Sequence, residues 1–282
     1  MVQEHSLLTA LLMTTLAGLS TGLGGLLVLW RSPGEKAVSL ALGFAGGVML
    51  SVSLADLLPA GLAYYQSVFV SDFAAGCAAA SLLLCGMALA GLLSQCLPEE
   101  GEGLSRLLGG AEGAAAAEPE RLPAGGNARR LRAQALHCGL AVGLALLLHN
   151  LPEGILTLFS GVANTRTGLR LSLAIAMHNI PEGVSVAAPL WYATRSRAKS
   201  AGAAFLSGLA EPAGALLAYF ILHERLNAGL LNGLTLLVAG VMCWVSAAEL
   251  LFGGFSMEQK MPTTVGFALG VCTMTLGIAA LA

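Results

Sequence analysis

The stretch His149-Asn150-Leu151-Pro152-Glu153-Gly154 recurs with one change as His178-Asn179-Ile180-Pro181-Glu182-Gly183. Each copy lies inside an apolar run long enough to cross a bilayer as a helix. At that depth imidazole, amide and carboxylate groups are costly unless they face an ion, a polar cavity or one another. Two matched copies therefore point to one shared polar site between two membrane helices.

The surrounding composition agrees. The chain has 282 residues, 56% of them hydrophobic and 11% charged, with 36 glycines, and its mean hydropathy is +0.78. A soluble domain carries about 25% charged residues. Here the charges crowd into short segments between long apolar stretches, as in a multi-spanning membrane protein. Abundant Gly and Ala suit close helix–helix approach in lipid. The expected fold is all-α, a polytopic bundle forming a single transmembrane domain over 1–282. Its eight spans are 6–30, 36–59, 71–97, 134–160, 168–190, 199–222, 228–252 and 263–282. Spans 1–3 fill 1–97 and spans 4–8 fill 134–282. The charged, Gly/Ala-rich segment 98–133, with Glu99, Glu100, Glu102, Pro119 and Pro123, is expected to be a disordered cytosolic loop.

Lys and Arg set the orientation. Segments after spans 1, 3, 5 and 7 hold Arg31, Lys36, Arg106, Arg121, Arg129, Arg130, Arg132, Arg195, Arg197, Lys199 and Lys260, eleven of the fourteen basic residues. Segments after spans 2, 4 and 6 hold Arg166, Arg170 and Arg225. The positive-inside rule places the eleven in the cytosol and both termini outside. No Lys or Arg precedes Arg31, so the first apolar stretch reads as a retained span, not a cleaved signal. A net charge of −2 excludes a basic nucleic-acid footprint. Cys77, Cys85, Cys96, Cys138, Cys243 and Cys272 lie in or at the ends of spans without paired spacing, and read as packing residues.

An internal repeat is also present. Gly47-Val48-Met49-Leu50-Ser51-Val52-Ser53-Leu54-Ala55-Asp56-Leu57-Leu58 matches Gly240-Val241-Met242-Cys243-Trp244-Val245-Ser246-Ala247-Ala248-Glu249-Leu250-Leu251 at eight of twelve positions, with Asp56 opposite Glu249. Spans 2 and 7 run in opposite directions, as do spans 4 and 5. This is the pattern of an inverted repeat, the architecture of many secondary transporters.

The chemistry follows from helical spacing. His149 and Glu153 are four residues apart and share a face, with Asn150 flanking it; His178, Asn179 and Glu182 repeat the arrangement. Facing stripes would offer two imidazoles, two carboxylates and two amide oxygens, a shell suited to Zn²⁺, Fe²⁺, Mn²⁺ or Co²⁺. Pro152 and Pro181 free the carbonyls of Leu148 and Met177, which are tolerated at this depth where they line a cavity. Glu211, before Pro212 near the middle of span 6, is expected at the same level. Met49 offers either a thioether ligand or packing. Asp56 and Glu249, near the outer and inner faces, read as pathway residues or ordinary helix-end carboxylates. His223 and Glu224, at the outer end of span 6, read as ion-gathering or simply solvated. A structural His–Glu bond is the plain alternative. A metalloprotease is disfavoured because neither copy is H-E-x-x-H, and no P-loop is present.

At these residues the chain resembles the ZIP (Zrt-/Irt-like) family of divalent-metal transporters, closest to its ZupT/GufA-like branch, in which both motif helices read HN-x-PEG. The resemblance spans almost the whole chain. It implies transport of zinc, with iron, manganese, cobalt and cadmium, into the cytosol through a site between helices four and five. It assigns one ion to His149, Glu153, His178 and Glu182, with Met49 near it, and a second to Asn150, Asn179 and Glu211, bridged by Glu153 and Glu182. The ions are cargo, and no catalytic cofactor is expected. The other partner is the lipid bilayer of a plasma or inner membrane, and a homodimer is left open. Unlike many members, residues 98–133 contain no histidine, and Asn179 stands where some members have Asp. Rival readings are an intramembrane metalloenzyme and a metal-responsive membrane receptor.

Overall fold

The computed structural model describes residues 2–30, 33–95, 126–222, 227–256 and 259–281. Among them the chain is helical, with no strand. Eight helical rods follow one another: α1 (Val2–Trp30), α2 (Glu35–Val68), α3 (Asp72–Gln95), α4 (Gly126–Ala163), α5 (Thr165–Thr194), α6 (Arg197–Phe220), α7 (Ala228–Ser256) and α8 (Lys260–Leu281). Helices are the open-ended way to satisfy every backbone polar group in hydrocarbon. Seven of the rods are long and apolar enough to cross a membrane. The remaining one, α5, falls short because Arg166, Arg170, His178, Asn179 and Glu182 lower its hydropathy. His178, Asn179 and Glu182, the polar groups of the second motif copy, thus contribute to the weak signal of α5.

Side chains mark several helix starts. Asn164 accepts from the Thr167 amide at the head of α5, Ser196 from the Lys199 amide at the head of α6, and Asn227 from the Leu230 amide at the head of α7. Each such cap contributes about 1 kcal/mol. Two boundaries differ clearly from expectation: α2 runs on past 59 to Val68, and α4 begins early. Helix α4 extends back to Gly126, so residues 126–133 are helical, not loop. The apolar periodicity weakens there because Arg129, Arg130 and Arg132 interrupt it in the sequence. The rest of the expected loop, 98–125, lies outside the described residues.

The repeat read from sequence reappears in backbone form. Ser53–Leu57 of α2 and Val245–Leu251 of α7 both wind as π turns, and they carry Asp56 and Glu249. Such turns insert a residue into the helical ladder and re-aim the side chains around them.

The rods sort into two bundles. Helix α1 packs along α5 and α6, and α4 packs against α5 and α6. In the second bundle α2 pairs with α8, and α3 with α7. The bundles meet along two seams of similar extent, one between α2 and α5 and one between α4 and α7. One continuous apolar core, including Met49, Leu146, Val186, Met242 and Leu250, crosses that seam.

Candidate metal centre

Helices α4, α5 and α6 place seven polar side chains together in the first bundle. His149, Asn150 and Glu153 come from α4, His178, Asn179 and Glu182 from α5, and Glu211 from α6. All are buried, none more than 5% exposed. The three helices, with α1, approach closely because glycine stands at the crossings. A Cβ on Gly154 would fall on the backbone carbonyl of Glu211, and one on Gly183 on that of Thr21. Pro152 and Pro181 sit inside their helices, as read from sequence.

The two HN-x-PEG copies interlock across α4 and α5. His178 Nε2 lies 3.2 Å from Glu153 Oε1. His149 Nε2 lies 3.4 Å from Glu182 Oε1 and 3.6 Å from Glu153 Oε2. Each histidine therefore reaches the carboxylate of the other motif. The two asparagines are oriented by their amide nitrogens. Asn150 Nδ2 donates to the Ser207 carbonyl at 2.9 Å, and Asn179 Nδ2 donates to the Ala17 carbonyl at 2.9 Å. Asn179 Nδ2 also donates to Glu211 Oε1. With the nitrogens committed, both amide oxygens are left over.

Those oxygens belong to a larger set. His149 Nε2, Asn150 Oδ1, Glu153 Oε2, Asn179 Oδ1, both carboxylate oxygens of Glu182 and Glu211 Oε2 are buried without a hydrogen-bond partner. Buried polar atoms normally find one. Most of these are acceptors, so a donor-poor cluster of three carboxylates has gathered in a low-dielectric interior. A divalent cation satisfies this arrangement directly, supplying positive charge and coordination together.

Among the described residues no group of three or more His, Cys, Asp and Glu stands ready-made to hold an ion. The histidines and glutamates stand instead as close His–Glu pairs. Their N···O separations of 3.2 to 3.6 Å nevertheless match a tetrahedral ligand–ligand edge of roughly 3.3 Å, which follows from zinc bonds of about 2.0–2.1 Å. A cation entering between them would exchange these pairings for shorter bonds with modest side-chain adjustment.

The remaining expected residues are placed differently. Met49 is fully buried in the apolar core joining the bundles. Asp56 is exposed on its π turn. Glu249 is nearly buried; it accepts from Ser94 Oγ of α3 at 2.5 Å, and its carbonyl accepts from Cys138 Sγ of α4 at 3.4 Å. His223 and Glu224 lie outside the described residues. Sequence reading missed the part played by α1 and by Ser207. Their contribution is a backbone carbonyl each, and a carbonyl leaves no mark on residue identity.

Comparison with known proteins identifies the family. The family model described as ZIP Zinc transporter matches residues 118–278. The zinc transporter ZupT of Akkermansia muciniphila is 39% identical over 247 residues, 87% of each chain. The zinc transporter ZupT of Chlorobium phaeovibrioides is 37% identical over 280 residues, 99% of this chain and 100% of the relative. That of Xanthomonas axonopodis pv. citri is 34% identical over 278 residues, 98% and 96% of the two chains. Likeness of this extent takes in every helix that builds the centre, and the chain belongs to the ZIP zinc transporter family.

Proposed function

We propose that this integral, multi-pass membrane protein carries Zn²⁺ and similar divalent cations into the cytosol through the buried centre on α4, α5 and α6. One observation carries the reading: seven side chains of cation-binding chemistry converge with acceptor atoms unpartnered, while both asparagine amides are held by backbone carbonyls with their oxygens left over. His149, Glu153, His178 and Glu182 hold one ion. Asn150, Asn179 and Glu211, with Glu153 and Glu182 bridging, hold a second. Met49 borders the first ion, and Asp56 and Glu249 lie along the path on either side. The basic segments face the cytosol and both termini lie outside. The relatives named for zinc transport support zinc as cargo, and the donor set also suits iron, manganese, cobalt and cadmium.

Release on the opposite side requires a change of access. The two-bundle construction supports motion of one bundle against the other, the usual mode of inverted-repeat carriers. A metalloenzyme using the same ligands would need a substrate beside a metal-bound water, and the carrier reading is the one the family favours. The test is uptake of ⁶⁵Zn by proteoliposomes of the purified protein, with other divalent ions as competitors. Saturable, competed uptake is expected. Metal-dependent turnover of a substrate without uptake would transfer the assignment to an enzyme.

A pH dependence follows from the ligands. Imidazole and carboxylate must be deprotonated to bind, so protons compete with the cation. Affinity measured by titration calorimetry is expected to fall as the pH is lowered from 8 to 5. Affinity that stays flat from pH 8 to 5 contradicts this ligand set.

A further inference from the structure

We infer that Tyr192 and Glu35 form a gate at the basic-loop end of the protein, and that their hydrogen bond must break before a cation leaves the centre on that side. The inference rests on the two-bundle transport reading above. Tyr192 lies in the last turn of α5 in the first bundle, and Glu35 opens α2 in the second. Tyr192 Oη donates to Glu35 Oε1 at 2.7 Å. The bond thus joins the two bodies whose relative motion transport requires. Below the centre α5 runs buried through Ser185, Val186 and Ala187 to Leu190, Trp191 and Tyr192. The tyrosine closes the end of this buried run and is itself 7% exposed.

Arg195 holds the latch in place. It adopts the left-handed conformation, φ 56°, and ends α5. That turn folds its guanidinium back to 4.5 Å from the Trp191 ring centroid and 5.3 Å from that of Tyr192. A non-glycine residue held there carries backbone strain, which the stacked rings offset. Tyr192 lies past the end of the fifth span. Burial, with the Glu35 carboxylate beside it, pushes its phenol up to about 12, so the hydroxyl keeps its proton and goes on donating. A neutral donor on a carboxylate is a charge-assisted bond, stronger than a bond between neutral groups. A second contact crosses between bundles on the same side, from Cys138 Sγ of α4 to the Glu249 carbonyl of α7 at 3.4 Å. Cys138 is buried at that seam, so it becomes accessible when the seam opens.

The test uses the full-length protein with Cys138 as its sole cysteine, the other five replaced by serine, in proteoliposomes. N-ethylmaleimide labelling of Cys138 and ⁶⁵Zn uptake are measured in parallel. Tyr192→Phe keeps the ring and its stacking but removes the bond. It is expected to raise the labelling rate about tenfold, the weight of one charge-assisted bond, and to change kcat for uptake more than KM. Glu35→Gln is expected to raise labelling less, because an uncharged acceptor remains. The double variant is expected to match Tyr192→Phe, since both changes remove one bond. Labelling within twofold of the parent in both single variants, at an unchanged melting temperature, overturns the gate. So does a double variant whose rate is the product of the singles, which would show independent effects. A parent that takes up no metal sinks the transport reading, while labelling still reports on the latch.

Discussion

A Glu153→Gln, Glu182→Gln double variant is expected to fold and to lose metal uptake by more than about 100-fold. Glu153 of α4 and Glu182 of α5 lie where the two motifs interlock, at 3.2 Å from His178 and 3.4 Å from His149 respectively. Glutamine preserves shape and can still hydrogen-bond an imidazole, so packing of α4 on α5 survives. What disappears is the pair of negative charges that lets a dication enter a low-dielectric interior. Without them the ion must shed its water for neutral ligands alone, with only Glu211 to balance its charge. The check is ⁶⁵Zn uptake together with calorimetric affinity, with the melting temperature as a folding control. Uptake unchanged in the double variant removes these residues from the centre.

The second large effect is steric. Gly154→Ala would drive a methyl group into the Glu211 carbonyl, and Gly183→Ala into that of Thr21. Both obstacles are backbone, which cannot rotate aside as a side chain does. Overpacking of this kind destabilises by about 1–3 kcal/mol. The functional loss is expected to be larger than stability alone implies. Separating α4 from α6 by on the order of 1 Å moves Glu211 away from Glu153 and Asn150, and misplacement on that scale can reduce a rate about 100-fold. Gly143→Ala is the control. Its added methyl meets Val186 Cγ1 at 3.6 Å, an ordinary contact, and alanine favours the helix. Uptake and melting temperature should fall for Gly154→Ala and Gly183→Ala and hold for Gly143→Ala. Equal behaviour of all three would show that the crossings tolerate more separation than this packing allows.

Much of this was legible in the residues themselves. Hydropathy marked the eight helices because lipid demands apolar side chains over a fixed length. The site was legible because ionisable groups in such a helix are too costly to be incidental. Even the weak signal of α5 is informative, since His178, Asn179 and Glu182, which help to lower its hydropathy, belong to the candidate centre. The helical start at Gly126 was not legible, because a first stretch rich in arginine looks like loop in composition.

The sequence by itself determined that apolar helices would carry two matched His-Asn-x-Pro-Glu-Gly stripes and an acidic third partner, since spacing along a helix dictates which side chains share a face. Tertiary structure alone decided that each histidine reaches the other motif's glutamate, that Ala17 and Ser207 turn the asparagine oxygens free, and which helices form each bundle. Those features depend on backbone atoms common to every residue and on contacts between segments far apart in the chain. Residue identity therefore carries no record of them until the helices have packed.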